Sequence, residues 1–144
     1  MRQAVTPYLI VKGGAEAIAF YTKAFGAKEL FRLSEPSGKV GHAELEIRGS
    51  TFMLADEYPD FGALSPTSIG GSPVSLHLYV DDVDGVVAGA TAAGATVLRA
   101  VKDEFYGDRA GMIADPFGHK WHIATRKEEV SPEEAQKRWN EIYR

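Results

Sequence analysis

The sequence contains two similar halves, and this internal repeat restricts the possible folds more than any other feature. Residues 4–56 and 74–126 each show the same order of predicted elements, one strand, one helix and three strands (βαβββ). An offset of 69 residues aligns Phe52 with Trp121, and an offset of 68 aligns the glycines that end the two predicted helices. Internal repeats of this kind define the structural unit before a fold is named. The chain is therefore predicted to be built from two copies of one module.

Hydrophobic periodicity predicts which face of each strand is buried. In residues 40–48, apolar and polar residues alternate with the period of a half-buried strand. One face carries Ala43, Leu45 and Ile47, and the other carries His42, Glu44 and Glu46. Each module should cover its apolar sheet face with its own helix. The predicted fold is α+β, with two βαβββ modules forming a curved mixed sheet around a shared cavity.

The last hairpin of the second module carries a histidine on its polar face. Pro116 and Gly118 suit a tight turn, because proline fixes φ and glycine accepts positive φ. On the returning strand, Trp121 and Ile123 face the predicted core, and His122 faces the opposite side. His122 is either a hydrogen-bonded strand residue or a functional group in the cavity.

Length and composition exclude several classes of protein. The 144 residues suffice for one domain, predicted over residues 1–126 with an irregular linker at 57–73, followed by a tail helix within 127–144. A net charge of −4 without a basic stripe argues against nucleic acid as a partner. No apolar run has transmembrane length, and cysteine is absent. These features predict a cytoplasmic protein that does not bind membranes.

The tail helix has a clear start signal and an apolar stripe. Ser131 is suited to the N-cap, Pro132 to the first helical position, and Glu134 to the third. The stripe consists of Ala135, Trp139, Ile142 and Tyr143. This stripe packs either on its own domain or on a second subunit, and we expect a homodimer.

Several motifs resemble the vicinal oxygen chelate superfamily, which includes glyoxalase I, bleomycin-resistance proteins and extradiol dioxygenases. The residues that carry the resemblance are Phe25-Gly-Ala27, Tyr79-Val-Asp-Asp-Val83, Gly94-Ala95 and Asp115-Pro-Phe-Gly118. The motifs His42-Ala-Glu-Leu45 and Tyr106-Gly-Asp-Arg109 are similar to its PhnB-like branch. The resemblance covers about residues 4–126 and implies a fold rather than one reaction.

The resemblance also implies four metal-ligand positions, one on the first and one on the last strand of each module. In this sequence they fall on Thr6, Met53, Ser75 and His122. Only His122 is a good ligand for a transition metal, because hydroxyl and thioether groups bind such ions weakly. The sequence thus predicts a degenerate metal tetrad. The cofactor is either none or one divalent metal (Zn, Fe, Ni or Mn).

Strand phase assigns a larger set of side chains to the cavity. The predicted inward residues are Tyr8, His42, Glu44, Met53, Ser75, His77, Tyr79, Arg109, Ile113 and His122. A shifted metal site could use His77, His122 and Glu44, which are acceptable ligand types. Without a metal, Glu44 or a histidine could act as a general base while Tyr8 or Arg109 stabilises an oxyanion. Arg109 could equally bind the carboxylate of a ligand, or pair with Asp108 or Asp103 at the surface.

A binding role without catalysis is the favoured prediction. The predicted ligand-binding residues are Tyr8, Ser75, His77, Tyr79, Tyr106, Arg109 and His122. This resembles the bleomycin-resistance branch, which sequesters aromatic drugs between two subunits. The alternative is a divalent-metal-dependent lyase, isomerase or dioxygenase that acts on a small carbonyl or vicinal-oxygen substrate. A third possibility is an interaction module whose surface matters more than its cavity.

Overall fold

The structure is a computed structural model that describes residues 2–144. These residues form eight strands in two four-stranded sheets, with four α-helices and one short 3₁₀ helix. The first module contains β1 (Tyr8–Val11), α1 (Gly14–Phe25), β2 (Lys28–Ser34), β3 (Val40–Ile47) and β4 (Ser50–Asp56). The linker contains the 3₁₀ helix (Pro59–Phe61) and α2 (Pro66–Ile69). The second module and tail contain β5 (Ser75–Tyr79), α3 (Val83–Ala92), β6 (Thr96–Asp103), β7 (Asp108–Ala114), β8 (Lys120–Arg126) and α4 (Pro132–Ile142).

The two sheets have the same topology. Sheet 1 has the strand order β1-β4-β3-β2, and sheet 2 has the order β5-β8-β7-β6. The pairs β1–β4 and β5–β8 are parallel, and the remaining pairs are antiparallel. The predicted α+β fold, with two βαβββ modules and a C-terminal helix, is confirmed. Within residues 2–144 the modules contribute two separate sheets rather than one continuous sheet.

One face of each sheet is covered by helices. Leu45 and Leu54 of sheet 1, and Ile113 and Ile123 of sheet 2, are fully buried in a core that also includes α1 and α3. Because side chains alternate along a strand, the neighbours of these residues lie on the opposite face. We call this opposite face of each sheet its open face.

The last strand of each module provides a side chain that caps the N-terminus of the helix in the same module. Asp56 Oδ1 accepts hydrogen bonds from the backbone N–H groups of Gly13 (2.9 Å) and Gly14 (2.8 Å). The equivalent residue at an offset of 69 is Thr125, whose hydroxyl accepts from the Val83 N–H at 3.0 Å. These contacts satisfy helix N–H groups that have no partner within the helix. The repeat therefore extends from strand order to capping chemistry.

Asp115 joins the two modules through a buried set of hydrogen bonds. Its Oδ2 accepts from the Tyr21 hydroxyl of α1 (2.5 Å) and from the Trp121 indole (2.9 Å). Its Oδ1 accepts from the backbone N–H groups of Phe117 (2.9 Å) and His119 (3.0 Å). Burial, followed by the Asp115 carboxylate, raises the pKa of Tyr21 well above its ordinary value, so the phenol stays a donor. One carboxylate thus holds the β7–β8 turn and the first module's helix together.

The linker is more ordered than its composition indicates. Besides its two short helices, it is fixed by Glu57, which accepts the Ser65 N–H at 2.6 Å. Hydrogen bonds from Ser65 and Ser68 lower the pKa of Glu57 to about 2. Pro66 packs on the β7–β8 turn, where a Cβ at Gly118 would lie 2.9 Å from the Pro66 Cβ. Gly118 also has a φ of +91°, so both space and conformation favour glycine.

The tail helix begins as predicted, with the Ser131 hydroxyl accepting the Glu134 N–H at 3.1 Å. Trp139 packs against Phe105 and Tyr143, with ring centroids 5.9 and 4.4 Å away. Nevertheless Trp139 remains 48% exposed and Tyr143 remains 64% exposed. Across residues 2–144, none of the helices has the length and hydrophobicity needed to cross a bilayer.

The Asp115 hydrogen bonds generate a stability prediction. Asp115→Ala should lower the free energy of unfolding by about 3 kcal/mol, because it leaves the buried Tyr21 and Trp121 donors without an acceptor. Asp103→Ala is a control, since its pairing with Arg109 is exposed and worth under about 1 kcal/mol. Urea unfolding followed by circular dichroism measures both values. Equal, small losses in the two variants would contradict the role given to Asp115.

Candidate functional site

The open face of sheet 1 carries a continuous row of side chains across all four strands. In the strand register, Tyr8 of β1 lies beside Met53 of β4, Met53 beside Glu44 of β3, and Glu44 beside Phe31 of β2. Residues directly opposite in a sheet share one face and are in contact distance. Phe31 is 41% exposed and Tyr8 is 47% exposed, whereas Glu44 is only 5% exposed. The row therefore combines a nearly buried carboxylate with two accessible aromatic rings.

A chain of hydrogen bonds runs through this face. Arg2 Nη1 donates to Glu44 Oε1 at 2.9 Å. The other carboxylate oxygen, Oε2, lies 3.0 Å from His42 Nε2, and His42 Nδ1 lies 2.8 Å from the Tyr8 hydroxyl. The Phe31 ring flanks the imidazole, with centroids 5.6 Å apart. Four side chains from three parts of the chain thus form one connected polar group.

The charges and burial around this series of hydrogen bonds keep Glu44 and Tyr8 in definite protonation states. The Arg2 hydrogen bond, and next the His42 hydrogen bond, lower the pKa of the Glu44 carboxyl. Burial raises the pKa of the Tyr8 phenol, and the negative charge of Glu44 raises it further. At neutral pH Glu44 is therefore a carboxylate, which can only accept, and Tyr8 is a neutral phenol.

The open face of sheet 2 carries the corresponding row with different chemistry. His77 of β5 lies beside His122 of β8, His122 beside Met112 of β7, and Met112 beside Arg99 of β6. The two imidazole rings are perpendicular, with centroids 4.4 Å apart. Burial lowers the pKa of His122, and the neighbouring His77 and Arg99 lower it further. The face thus presents two imidazoles where sheet 1 presents a phenol and a thioether.

A second polar network lies at one end of this face. The Asp108 side chain is fully buried and accepts from the Tyr79 hydroxyl (2.7 Å) and from Arg126 Nε (2.6 Å). Arg126 Nη2 also donates to the Tyr79 hydroxyl at 3.1 Å, and the His77 and Tyr79 rings are in contact at 4.8 Å. Tyr79 is thereby held rigidly beside the imidazole pair. Tyr106 in the β6–β7 loop is partly buried, and burial raises its pKa.

Two cavities adjoin these faces. One of about 440 Å³ lies beside β5 and is lined by Pro7, Phe52, Leu76, His77, Leu78, Tyr79 and Trp121, among others. A second, of about 490 Å³, includes Arg2, Thr6, Leu30 and Glu44 in its lining. A larger depression of about 600 Å³ near Lys12 and Glu57 is lined mainly by charged and small residues. The cavity beside β5 best fits the mostly apolar, sparsely polar lining typical of ligand sites.

Most predicted site residues lie on the open faces, but not on one surface. Tyr8 and Glu44 lie on sheet 1, whereas Ser75, His77, Tyr79 and His122 lie on sheet 2. Arg109 does not lie on an open face, because its guanidinium pairs with Asp84 of α3 at 2.8 Å. The Asp84 and Asp103 contacts raise the pKa of Arg109. The predicted inward orientation of Arg109 is therefore wrong, whereas its surface pairing with Asp103, the other possibility, is present at 3.2 Å.

The error at Arg109 has a structural cause. The offset between modules is 69 at their first and last strands, but the register aligns Glu44 with Met112, an offset of 68. A uniform offset of 69 therefore shifts β7 by one residue, and such a shift exchanges the two faces of a strand. Ile113, also predicted to face inward, is fully buried in the helix-covered core for the same reason.

The donors present do not suit the metal tetrad implied by the resemblance. Met53 lies on the open face of sheet 1 between Tyr8 and Glu44, and a thioether is a poor ligand for hard or borderline cations. The shifted set is not assembled either, because Glu44 has both oxygens engaged by Arg2 and His42. Over residues 2–144, no group of three or more histidine or acidic side chains has an arrangement that could hold a metal.

Sequence reasoning placed His42 on the correct face, but it did not include three further residues among the predicted site residues. Arg2, Asp108 and Arg126 complete the two polar networks. The alternation in β3 already indicated His42. Asp108 and Arg126 could have been found from the hairpin register, because they lie opposite each other on β7 and β8. No local pattern marks Arg2, which precedes the first strand.

Comparison with known proteins agrees with the fold. The Glyoxalase/Bleomycin resistance protein/Dioxygenase superfamily matches residues 3–123. The uncharacterized protein Rv0887c of Mycobacterium tuberculosis is 48% identical over 136 residues, which cover 92% of this chain and 80% of that protein. The chain belongs to this superfamily.

Solved structures show the same architecture. The PhnB protein from Bacillus cereus superposes with a TM-score of 0.68 at 21% identity, covering 85% of this chain and 99% of that one. The fosfomycin resistance protein FosX from Listeria monocytogenes, solved with Mn(II) and sulfate, superposes with a TM-score of 0.66 at 18% identity, covering 96% of this chain and 98% of that one. At these identities the two structures support the fold alone.

The His77–His122 contact generates a prediction about titration. The pKa of His122 should lie below the ordinary value of about 6.5, and His77→Ala should raise it. The substitution removes a neighbouring cation and opens the site to water, and both changes favour the imidazolium. His42→Asn, on the other sheet, should leave the His122 pKa unchanged. Histidine resonances followed by NMR across pH measure these values, and an unchanged His122 pKa in His77→Ala would contradict the predicted coupling.

Proposed function

We propose that the chain is a small-molecule-binding protein of the Glyoxalase/Bleomycin resistance protein/Dioxygenase superfamily that works without the usual metal tetrad. The observation that carries this proposal is the cavity of about 440 Å³ beside β5. Its volume lies within the range of small-molecule sites. Its walls include Phe52 and Trp121, and the partly exposed His77 and Tyr79 supply polar groups.

The side chains of this cavity suit a planar, partly polar ligand. The Tyr79 ring is fixed by Asp108 and Arg126, so little conformational entropy is lost when a ligand packs against it. His77 is exposed and in contact with both Tyr79 and His122. An aromatic ligand could stack on these rings and accept or donate one hydrogen bond at an imidazole.

The alternative function is a divalent-metal enzyme centred on His77 and His122. Two adjacent imidazoles are good ligands for zinc, iron, nickel or manganese, and FosX, with the same fold, was solved with Mn(II). Against this alternative, Thr6, Met53 and Ser75 supply only weak donors at the remaining positions. The ligand types therefore favour binding over metal catalysis.

Metal content distinguishes the two functions. We expect protein purified without chelator to contain far less than one transition-metal ion per chain, and His122→Ala to contain the same background amount. Elemental analysis by mass spectrometry measures both, with His119→Asn as a histidine control outside the open faces. One metal ion per chain in the wild type, lost in His122→Ala but kept in His119→Asn, would establish the alternative.

We further propose that the protein is a homodimer whose partner subunit covers exposed apolar surface. Strand β2 is exposed along its length and includes Leu30, Phe31 and Leu33. The tail helix exposes Trp139 and Tyr143. Exposed large apolar side chains of this kind are typical of interfaces. A cytoplasmic location remains a prediction from the sequence.

The tail helix provides a test of the dimer. The wild type should have twice the mass of the 15.6 kDa chain in light scattering, and Trp139→Asp should shift it towards the monomer by placing a charge in the interface. Asn140→Asp introduces the same charge at the adjacent position and should leave the dimer intact. A monomeric wild type, or equal behaviour of the two variants, would contradict this proposal.

A further inference from the structure

We propose that Tyr8, His42 and Glu44 form a proton relay on the open face of sheet 1, in which Tyr8 takes a proton from a bound molecule. The inference rests on the proposed binding function, because the protein must first bind a small molecule, here on the open face of sheet 1. It goes further by assigning a chemical activity, general-base catalysis, to a named group. The substrate class is a small molecule with a weakly acidic O–H bond, or a C–H bond next to an electron-withdrawing group.

The direction of the hydrogen bonds follows from the one group that can only accept. Glu44 is a carboxylate with Oε1 engaged by Arg2, so the bond at Oε2 requires a proton on His42 Nε2. In a neutral imidazole the other nitrogen, Nδ1, is then a lone-pair acceptor. The Tyr8 hydroxyl, 2.8 Å away, must donate to it. The phenolic oxygen keeps its own lone pairs free for a ligand.

This polarity makes proton transfer through Tyr8 possible without a tyrosinate. As a bound X–H group gives its proton to the Tyr8 oxygen, the phenolic proton moves to His42 Nδ1. The X–H electron pair stays on X, Tyr8 remains a neutral phenol, and His42 becomes an imidazolium. Atoms and charges balance, because one anion and one cation form from two neutral groups. The Glu44 carboxylate stabilises the imidazolium, as carboxylates do in other relays.

The roles of the three residues therefore differ. Tyr8 is the catalytic residue, because its oxygen is the group that would touch the substrate. His42 and Glu44 are positioning residues that act through Tyr8. Glu44 is unsuitable as a direct base, as its two oxygens are occupied and its carboxyl pKa is lowered. This revises the sequence-based hypothesis, in which Glu44 or a histidine took the proton directly.

Tyr8 is accessible to a bound molecule, because 47% of its surface is exposed. The Phe31 ring flanks His42, and Glu44 also lines a cavity of about 490 Å³. The charged and titratable groups around His42 are Tyr8 from β1, Glu44 from its own strand, and Arg2 from the N-terminal segment. Strand β2 places Phe31 and Leu33 beside it and no charge. An imidazolium formed here has one close carboxylate partner.

The probe for this activity is 5-nitrobenzisoxazole. A base removes its ring C–H proton, the N–O bond breaks as the nitrile forms, and the coloured product is 2-cyano-4-nitrophenolate. The relay predicts that the wild-type second-order rate constant falls about tenfold in both Tyr8→Phe and His42→Gln, which is less than a base positioned for its own substrate contributes. His119→Gln changes a histidine outside the open faces, where it contacts the Ile10 carbonyl, and should change the rate constant less than about twofold.

The split between kcat and KM separates a positioning role of Glu44 from a purely structural one. Glu44→Gln removes the charge that stabilises the imidazolium formed during the transfer, so kcat should fall about tenfold while KM changes less than about twofold. A rise in KM with an unchanged kcat would contradict the role of Glu44. A rate in Tyr8→Phe equal to or above the wild-type rate would overturn the relay.

Binding is measured separately with the unreactive product, 2-cyano-4-nitrophenol, through amide chemical shifts. The product could shift the Phe31 and Met53 amides in both the wild type and Tyr8→Phe, while the two proteins have equal elimination rate constants. This result would reject the relay and leave the binding function intact. Shifts confined to β5, with equal elimination rate constants for the wild type and Tyr8→Phe, would also reject the relay. They would support binding in the cavity beside β5. No shift on the open face of sheet 1 or in the cavity beside β5 would contradict both the relay and the proposed function.

Discussion

The buried carboxylate of Asp115 is the interaction on which the arrangement of the two modules depends. It accepts four hydrogen bonds, two from the backbone of its own turn and two from the side chains of Tyr21 and Trp121. Tyr21 belongs to the first module, and Asp115 to the second. A buried charge with four donors is satisfied, whereas the same charge with fewer would be costly. The contact thus fixes helix α1 against the last hairpin and leaves both open faces uncovered by their own helices.

The repeat made most of this fold predictable from the sequence. Strand order, helix positions and the buried faces follow from periodicity and from the turn glycines, because each module repeats the same local pattern. The prediction failed where the repeat is not exact. Strand β7 reads Asp-Arg-Ala-Gly-Met-Ile-Ala, and its small residues and adjacent Met112 and Ile113 do not define a phase. Arg109 was placed on the wrong face as a result. The polar networks depend on tertiary contacts of Arg2 and Arg126, which no local pattern encodes.

The two open faces have diverged in chemistry while keeping the same geometry. Tyr8 and Met53 on sheet 1 occupy the places that His77 and His122 occupy on sheet 2. Sheet 1 combines a carboxylate, an imidazole and a phenol in one directed chain, whereas sheet 2 combines an imidazole pair with a fixed phenol. The first arrangement suits proton transfer, and the second suits contact with a planar ligand. Such division of roles agrees with the proposed binding function, which does not use the usual metal tetrad.

The protonation pattern of His42 tests the central claim, which is that Glu44 and Tyr8 impose one direction on the hydrogen bonds of sheet 1. Long-range ¹H–¹⁵N NMR distinguishes the two tautomers of the neutral His42 imidazole. The account predicts the tautomer with the proton on Nε2 in the wild type, and a loss of this preference in Glu44→Gln. A proton on Nδ1 in the wild type would contradict the claim, because the Tyr8 hydroxyl would then accept a hydrogen bond from His42 instead of donating one.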